Sequence, residues 1–492
     1  MKFSIQPELV ERTPVLLQQY RSDITRDVIS RFEKLGVSLN QLEKWETKYE
    51  IVYPWDDAYG IERIGYNRFI QVYPMMIVLA KDMDEIRWAL SKSMKLGVKF
   101  SIKSGGHDHT GLSLSNGIII CLARRNHIIL HRNYVDIGSG IIFGQLDLLM
   151  SRFGSYTAIH GTCSNVSTGL IYGGGFGLFT RKYGLSCDNV ISFNILLADG
   201  RHITCDDQHH SDLFWALRGA GSGSFGIVTD LRLKYYKVPK IILYELHFTL
   251  DQFVKIYNKW QSFAPYAVND LASKVVLLPA KSNDLPFIIK GQYLGSIEDF
   301  KKLMGWFNQR AVKSKIWEAT VVEASLYHNE ACEAPGWYFF YQSLLAVELL
   351  NNNLVDVLYN YMINATEGSV DHCLVINALG GKYAEPKETD TAYPWRDALL
   401  WLHVMSESKD QSCYDDMKKY VNIVYNELLD TGLRNPQTGV GRLYSNFKDL
   451  DLSDDKYPLA YWGEKNYKRL QAVKRKYDPL NVFHNRQSIN IL

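Results

Sequence analysis

The chain has no run of the ~20 apolar residues needed to span a bilayer, so no membrane helix is expected. Its opening residues, Met1–Glu8, lack the apolar core of a secretory signal, and an intracellular protein is the expectation. Lys and Arg number 55 against 53 Asp and Glu, a net charge of +2. That is too weak a basic field to neutralise a phosphate backbone, which argues against a nucleic-acid partner. HExxH, GxSxG and a phosphate-loop lysine are all missing, removing the commonest hydrolase and NTPase chemistries. The seven cysteines (121, 163, 187, 205, 332, 373 and 413) are scattered, odd in number and without a CxxC pair. A disulfide framework is therefore not expected, and at least one thiol must be unpaired. Internal repeats and low-complexity tracts are lacking too.

The 492 residues exceed one comfortable core, so two or three structural units are expected. Residues 1–50 carry mixed helical patterning. Residues 68–240 alternate short β-like runs with helices and many glycines, with Asp199-Gly200 as a turn signal. From 241 glycines thin out and aromatics crowd in; strands over 241–248 and 275–278 alternate with helices near 296–308 and 350–364. Residues 436–492 return to turn-rich sequence.

Two motifs stand out. Ser104-Gly105-Gly106-His107-Asp108 sets an imidazole beside paired glycines, and Gly161-Thr162-Cys163 runs on to Gly173-Gly174-Gly175-Phe176-Gly177. A lone histidine in a turn is ordinarily structural, and a lone cysteine ordinarily a small buried hydrophobe. Both on glycine-rich loops, which bring backbone close to a planar or phosphorylated ligand, point instead to a cofactor gripped from two sides and to redox chemistry. Gly221–Gly226 spells GxGxxG, but residues 212–218 before it read as helix and those after it as strand. This inverts the dinucleotide-binding order, so a dinucleotide fold is rejected. His202, Cys205, His209 and His210 flank a polar turn without paired-ligand spacing, and no metal is expected.

Together these segments resemble the berberine bridge enzyme-like branch of the vanillyl-alcohol oxidase, or PCMH-type, flavoprotein superfamily. The resemblance is dense over 101–235, including Arg181–Val190, Leu197–Gly200, Asp212–Gly219 and Ser224–Thr229. It resumes in Tyr444-Ser445-Asn446, Tyr461-Trp462-Gly463 and Lys476–Phe483 with Gln487-Ser488-Ile489. It implies an α+β protein with a two-subdomain PCMH-type FAD-binding domain over 61–240 and a helix-covered antiparallel-sheet substrate domain over 241–435. The segment 436–492 would return to the FAD domain, and 1–60 would be a helical extension. By resemblance His107 bonds the flavin 8α-methyl and Cys163 its C6. Ser104, Gly105, Gly106, Asp108, Thr162, Val166, Gly173, Gly174, Gly175, Gly177, Gly226, Ile227, Val228, Tyr444 and Asn446 complete the cofactor site.

Tyr444 takes the role of catalytic base. His403 stands where family members often carry Gln or Glu, as a second acid–base or hydrogen-bonding candidate. A small residue at Val166 goes with oxidases in this family, implying reoxidation by O2 with release of H2O2. The implied activity is oxidation of an alcohol or sugar hemiacetal, with Trp337, Tyr338, Trp395 and Trp401 as aromatics suited to sugar stacking. The alternatives are a flavin dehydrogenase or secondary-metabolite oxidase acting on an aromatic or polycyclic substrate, and an inactive flavin-binding scaffold.

Overall fold

The computed structural model describes residues 14–329, 337–365 and 368–491, with side chains from residue 22 onward. Met1–Glu8 and Cys332 lie outside the described residues. Helices over Pro14–Lys34 and Leu39–Glu46 open the chain. Their Val28, Phe32 and Leu42 pack onto the first of three sheets.

That sheet holds β1 (Ile51–Val52), β2 (Met76–Leu79), β3 (Phe100–Lys103) and β4 (Ile118–Cys121), in the order β1-β2-β4-β3. β2, β4 and β3 run parallel. All four residues of β2 and of β4 are buried, as parallel strands covered on both faces require. The two-residue period divides them. Met76, Val78, Ile118 and Ile120 face the N-terminal helices, while Ile77, Leu79, Ile119 and Cys121 join a second cluster. The crossover helix Met83–Leu96 is fixed at both ends. The Asp82 carboxylate accepts from the amides of Asp84 and Glu85, and Gly97 closes it at φ 62°.

The second sheet contains β5 (Ile128–Leu130), β6 (Tyr134–Gly138), β7 (Tyr156–Ala158), β8 (Val190–Leu196), β9 (His202–Cys205) and β10 (Ile227–Lys237). β10 lies between β6 and β8, and β7 pairs with its far end. Asp199-Gly200 turns β8 into β9 with Gly200 at φ 85°, where the turn was expected.

The third sheet comprises β11 (Ile241–Phe248), β12 (Leu271–Leu277), β13 (Phe287–Leu294), β14 (Lys313–Ala319), β15 (Tyr338–Ala346), β16 (Asp371–Ala378) and β17 (Leu400–Ser408). Its order is β14-β11-β13-β12-β16-β17-β15, antiparallel throughout. Helices Phe253–Phe263, Asn352–Asn364 and Tyr414–Leu428 bury their apolar faces in the same core as Leu374, Leu402 and Val404. The α+β architecture with a helix-backed antiparallel sheet is the expected one.

Two buried cations tie these layers together. Arg181 donates Nε to Leu271 O (2.8 Å), Nη1 to Pro265 O (2.8 Å) and to Leu379 O, and Nη2 to Ala267 O (2.7 Å). It thus clamps the glycine-rich half of the chain to the third sheet. Lys474, at the end of helix Tyr457–Tyr477, donates to Ser224 O (2.6 Å), Asp478 Oδ2 (2.6 Å) and Phe483 O (2.5 Å). This bond set returns the C-terminal segment to the loop that precedes β10.

Candidate active site

A cavity of about 390 Å3 lies where the three sheets and the C-terminal segment meet. Pockets of this size hold small molecules and cofactors. One wall is made of loops: Ser104–His109 after β3, Gly161–Cys163 with Val166 and Ser167, and Gly221–Gly226 before β10. The opposite wall is the third sheet.

The first loop is built for close approach. A Cβ on Gly105 would stand 2.8 Å from the Ser167 Cβ, and Gly106 sits at φ 69°. The amides of Gly105, Gly106 and His107 meet no acceptor among the described residues. His107 ends a stack of three rings: it lies on Tyr66 at 3.8 Å, and Tyr66 lies on Phe339 at 4.8 Å. His107 Nε2 is buried without a hydrogen-bond partner. Burial drives its pKa down to about 4, so the imidazole is neutral and nucleophilic at neutral pH.

Tyr444 lies at the seam between the two walls. Its phenolic oxygen accepts from Gly175 N (2.8 Å), Phe176 N (3.3 Å) and Asn446 Nδ2 (2.7 Å). The other Asn446 amide hydrogen goes to Leu170 O at 2.7 Å, so both of its hydrogens are committed and its orientation is fixed. Burial raises the Tyr444 pKa, while the three donors oppose that rise. The ring is boxed by Trp401 at 5.1 Å and Tyr393 at 6.0 Å, both edge-on.

Of the predicted cofactor residues, Ser104, Gly105, Gly106, His107, Asp108, Thr162, Cys163, Val166, Gly226, Val228, Tyr444 and Asn446 line this one cavity. Gly173, Gly174, Gly175, Gly177 and Ile227 do not. The triple glycine instead supports the tyrosine: added Cβ atoms would meet Asn446 at Gly173, Tyr393 and Tyr444 at Gly174, and Ser186 at Gly175. At Gly177 a Cβ would lie 2.0 Å from His160 O, and Ile227 is buried in the core beside the first sheet. The triple glycine allows tight packing behind the catalytic candidate. Cys163 lines the cavity, but its sulfur is held in a disulfide. A cysteine read from sequence as a flavin-linked thiol is thus engaged otherwise in this structure.

On the sheet wall, the two-residue period of β17 sends Trp401, His403, Met405 and Glu407 into the cavity and Leu402 and Val404 toward the helices. His403 packs 3.7 Å from Trp401 and 4.8 Å from Phe447. Its pKa falls to about 3 through burial and the nearby charges of Lys274 and His109, making it a neutral hydrogen-bonding group. Of the aromatics proposed for stacking, Trp401 faces the cavity. Trp337 lies under Lys409, and Trp395 donates to Leu443 O, both away from it.

Sequence reasoning passed over Tyr66, Lys274, Tyr341, Asn377, Glu407 and Lys448, and named no site residue among Ser222–Phe225. All of them line the cavity. The alternation in β17 was the available signal for Glu407. The helix–loop–strand order at 211–237 is as expected, yet the loop still serves the site. No cluster of metal-ligating side chains occurs among the described residues. No helix among them is long and apolar enough to cross a membrane.

The residues present fit FAD. Free loop amides suit a pyrophosphate, the close glycine contacts suit a flat ring, and an unpartnered neutral imidazole waits at the wall. Comparisons agree. Residues 74–206 match the FAD binding domain family, and 443–490 match the berberine and berberine like family. Berberine bridge enzyme-like 23 of Arabidopsis thaliana is 29% identical over 86% of this chain and 84% of its own. A chitooligosaccharide oxidase of Gibberella zeae is 28% identical over 86% of this chain and 89% of its own. Among solved structures, the glucooligosaccharide oxidase of Acremonium strictum superposes with a TM-score of 0.80, covering 91% of this chain and 98% of that one at 24% identity. That protein is described as carrying 6-S-cysteinyl, 8α-N1-histidyl FAD.

Proposed function

For a chain that belongs to the berberine bridge enzyme-like family of FAD-dependent oxidoreductases, we propose oxidation of an alcohol or sugar hemiacetal with O2 as acceptor. The observation that carries this reading is the placement of His107 and the donor-ringed Tyr444 on one cavity. Bound FAD would supply a two-electron acceptor for a hydride and pass the electron pair to O2, giving H2O2. Residues 61–240 and 436–492 hold the cofactor, and 241–435 shape the substrate pocket.

His107 would hold FAD through its 8α position, its neutral imidazole being the form able to bond there. Cys163 could hold FAD a second time only as a free thiol, on the chain with its disulfide reduced. Tyr444 takes the substrate hydroxyl proton. The Gly175 and Phe176 amides and Asn446 stabilise the phenolate that the step requires, against the burial that disfavours it. Neutral His403 hydrogen-bonds the substrate and steadies its hydroxyl. Val166, at the cavity wall, leaves room for oxygen. Relatives named for chitooligosaccharide and glucooligosaccharide oxidation support a carbohydrate alcohol as the substrate class.

The test is a denaturing one. Protein made with and without reductant is unfolded, stripped of small molecules and weighed, beside His107→Ala and Cys163→Ala. The expected result is an FAD-sized increment that each single variant made under reduction retains and the double variant loses. Under oxidising conditions His107→Ala alone removes it. An unmodified wild-type mass would overturn the covalent reading. Absence of H2O2 from any sugar or alcohol tried would overturn the oxidase.

A further inference from the structure

The sheet wall carries a half-buried cation, Lys274, that the chemistry above leaves unused. Lys274 of β12 stands opposite Asn377 of β16, which stands opposite Trp401 of β17. With strands ~4.8 Å apart, its backbone is about 10 Å from that of Trp401, the residue against Tyr444. Lys274 therefore reaches a substrate about one ring's width from the reacting hydroxyl.

Asp108 and Lys448 on the cavity, and Lys290 beside it, have partners. Asp108 accepts from Thr110 N (3.1 Å), Thr110 Oγ1 (2.7 Å) and Ser113 N (2.9 Å). Lys448 donates to Gln487 O at 2.7 Å and feels the Asp108 charge. Lys290, next to Lys274 across the ladder, has Glu245 at 3.7 Å. Glu407 lies at the far end of β17, its pKa pushed up to about 7 by burial and by Asp371. Lys274 has no carboxylate or hydrogen-bond acceptor among the described residues. Burial and the repulsion of Lys290 lower its pKa to about 8, which leaves it mostly charged at neutral pH.

Several polar atoms around it have no partner. Trp401 Nε1, a donor only, is buried without a partner. So are both ring nitrogens of His328 and Nε2 of His403, whose pKa values the Lys274 charge helps to lower. An ammonium on the cavity wall with no described acceptor, beside an unpaired indole N–H, favours a bound molecule that brings an anionic acceptor.

We infer that Lys274 anchors a carboxylate on the substrate, so that this enzyme's preferred alcohol is a hydroxy acid. This rests on the oxidation proposed above. A uronic-acid sugar and an aromatic hydroxy acid share the required chemistry. A neutral hydroxyl or amide oxygen accepts from Lys274 without bringing a countercharge, and selectivity follows from the difference between the two acceptors.

The test uses the flavin-loaded protein with pairs differing only in the carboxylate: glucuronate against glucose, and 4-(hydroxymethyl)benzoate against 4-(hydroxymethyl)benzamide. The expected wild-type kcat/KM ratio, acid over neutral, is about 10- to 100-fold in one pair, as a hydrogen bond to a charged group provides. The pair that shows it identifies the source. In Lys274→Met the ratio falls to within about threefold, through KM, and Lys274→Arg restores most of it. A wild-type ratio near one in both pairs, or a ratio that survives Lys274→Met, overturns the inference. Calorimetric binding of benzoate and benzamide to the wild type needs neither turnover nor a folded variant. Stronger binding of benzoate with no turnover of any alcohol would sink the oxidase reading and leave the carboxylate anchor standing. Equal binding of the two sinks the anchor alone.

Discussion

Replacing Asn446 by alanine removes one of the three donors on the Tyr444 oxygen and leaves the phenol, its box of aromatics and the two backbone amides in place. A hydrogen bond to a charged group contributes about 1.5–3 kcal/mol. At 1.36 kcal/mol per unit of pKa, its loss from the phenolate raises the Tyr444 pKa by about 1–2 units. The direction is set by charge: a donor favours the deprotonated oxygen, so removing it favours the protonated one. In kcat/KM against pH the ascending limb should therefore move up by about 1–2 units. At pH values below both limbs, activity should drop roughly 10- to 100-fold. The loss should be recovered at high pH, which distinguishes a pKa effect from misplacement of the substrate. Stopped-flow reduction of the flavin by substrate from pH 5 to 10, in wild type and variant, measures both limbs. A limb that stays put while kcat falls uniformly with pH would mean that Asn446 only positions the ring. A limb that moves down would refute the assignment of Tyr444 as the base.

The clamp at Arg181 is tested by Arg181→Met, which leaves four buried carbonyls unsatisfied. The expected loss of about 3–6 kcal/mol should appear as a lower denaturant midpoint, and a loss under about 1 kcal/mol would contradict the clamp. Gly175→Ala and Gly200→Ala share a positive φ (83° and 85°), but only at Gly175 does the new Cβ meet an atom, Ser186 Cβ at 2.4 Å. Gly200→Ala should cost about 1–2 kcal/mol for conformation alone and Gly175→Ala about 2 kcal/mol more; equal costs would discount the contact. His160 is buried, which alone would lower its pKa, yet Asp147 at 3.0 Å and its hydrogen bonds raise it above 6.5 overall. A pKa raised by folding gives stability that is full below 6.5 and is lost as pH rises through the folded value. Urea midpoints at pH 6 and pH 9 should show that loss in wild type and not in Asp147→Asn; the same slope in both would reject the pair as its source.

Where backbone conformation must serve the cofactor, the sequence announces it. The Ser104–Asp108 loop and the Tyr444–Asn446 motif were legible because their residue types admit few substitutes: glycine at φ 69°, an amide with both hydrogens committed, a phenol at the focus of three donors. The triple glycine was equally visible, but its purpose was not. Glycine tolerates close approach to a ligand or to a packed side chain alike, and only the fold shows that Gly173–Gly175 press on Asn446, Tyr444 and Ser186. The engagement of Cys163 in a disulfide could not be read from spacing, since pairing depends on which thiols the fold brings together.

The sheet wall of the cavity was hardest to read, and the reason is physical. In β17 the helix-facing residues Leu402 and Val404 must be apolar to hold the core, whereas Trp401, His403, Met405 and Glu407 on the other face line the cavity, where polar and apolar residues are both admitted. The same holds for Lys274 between Ser273 and Val275 on β12, and for Asn377 between Ile376 and Ala378 on β16. Half of each strand is fixed by packing, so the fold survives while the other half changes. A sheet of this kind keeps its architecture at identities below 30%, and its cavity face carries little that a family motif could record. Substrate choice in this chain is accordingly to be sought in side chains such as Lys274 that no motif includes. Their chemistry follows from charge and burial, which the assembled sheet supplies and the linear sequence does not.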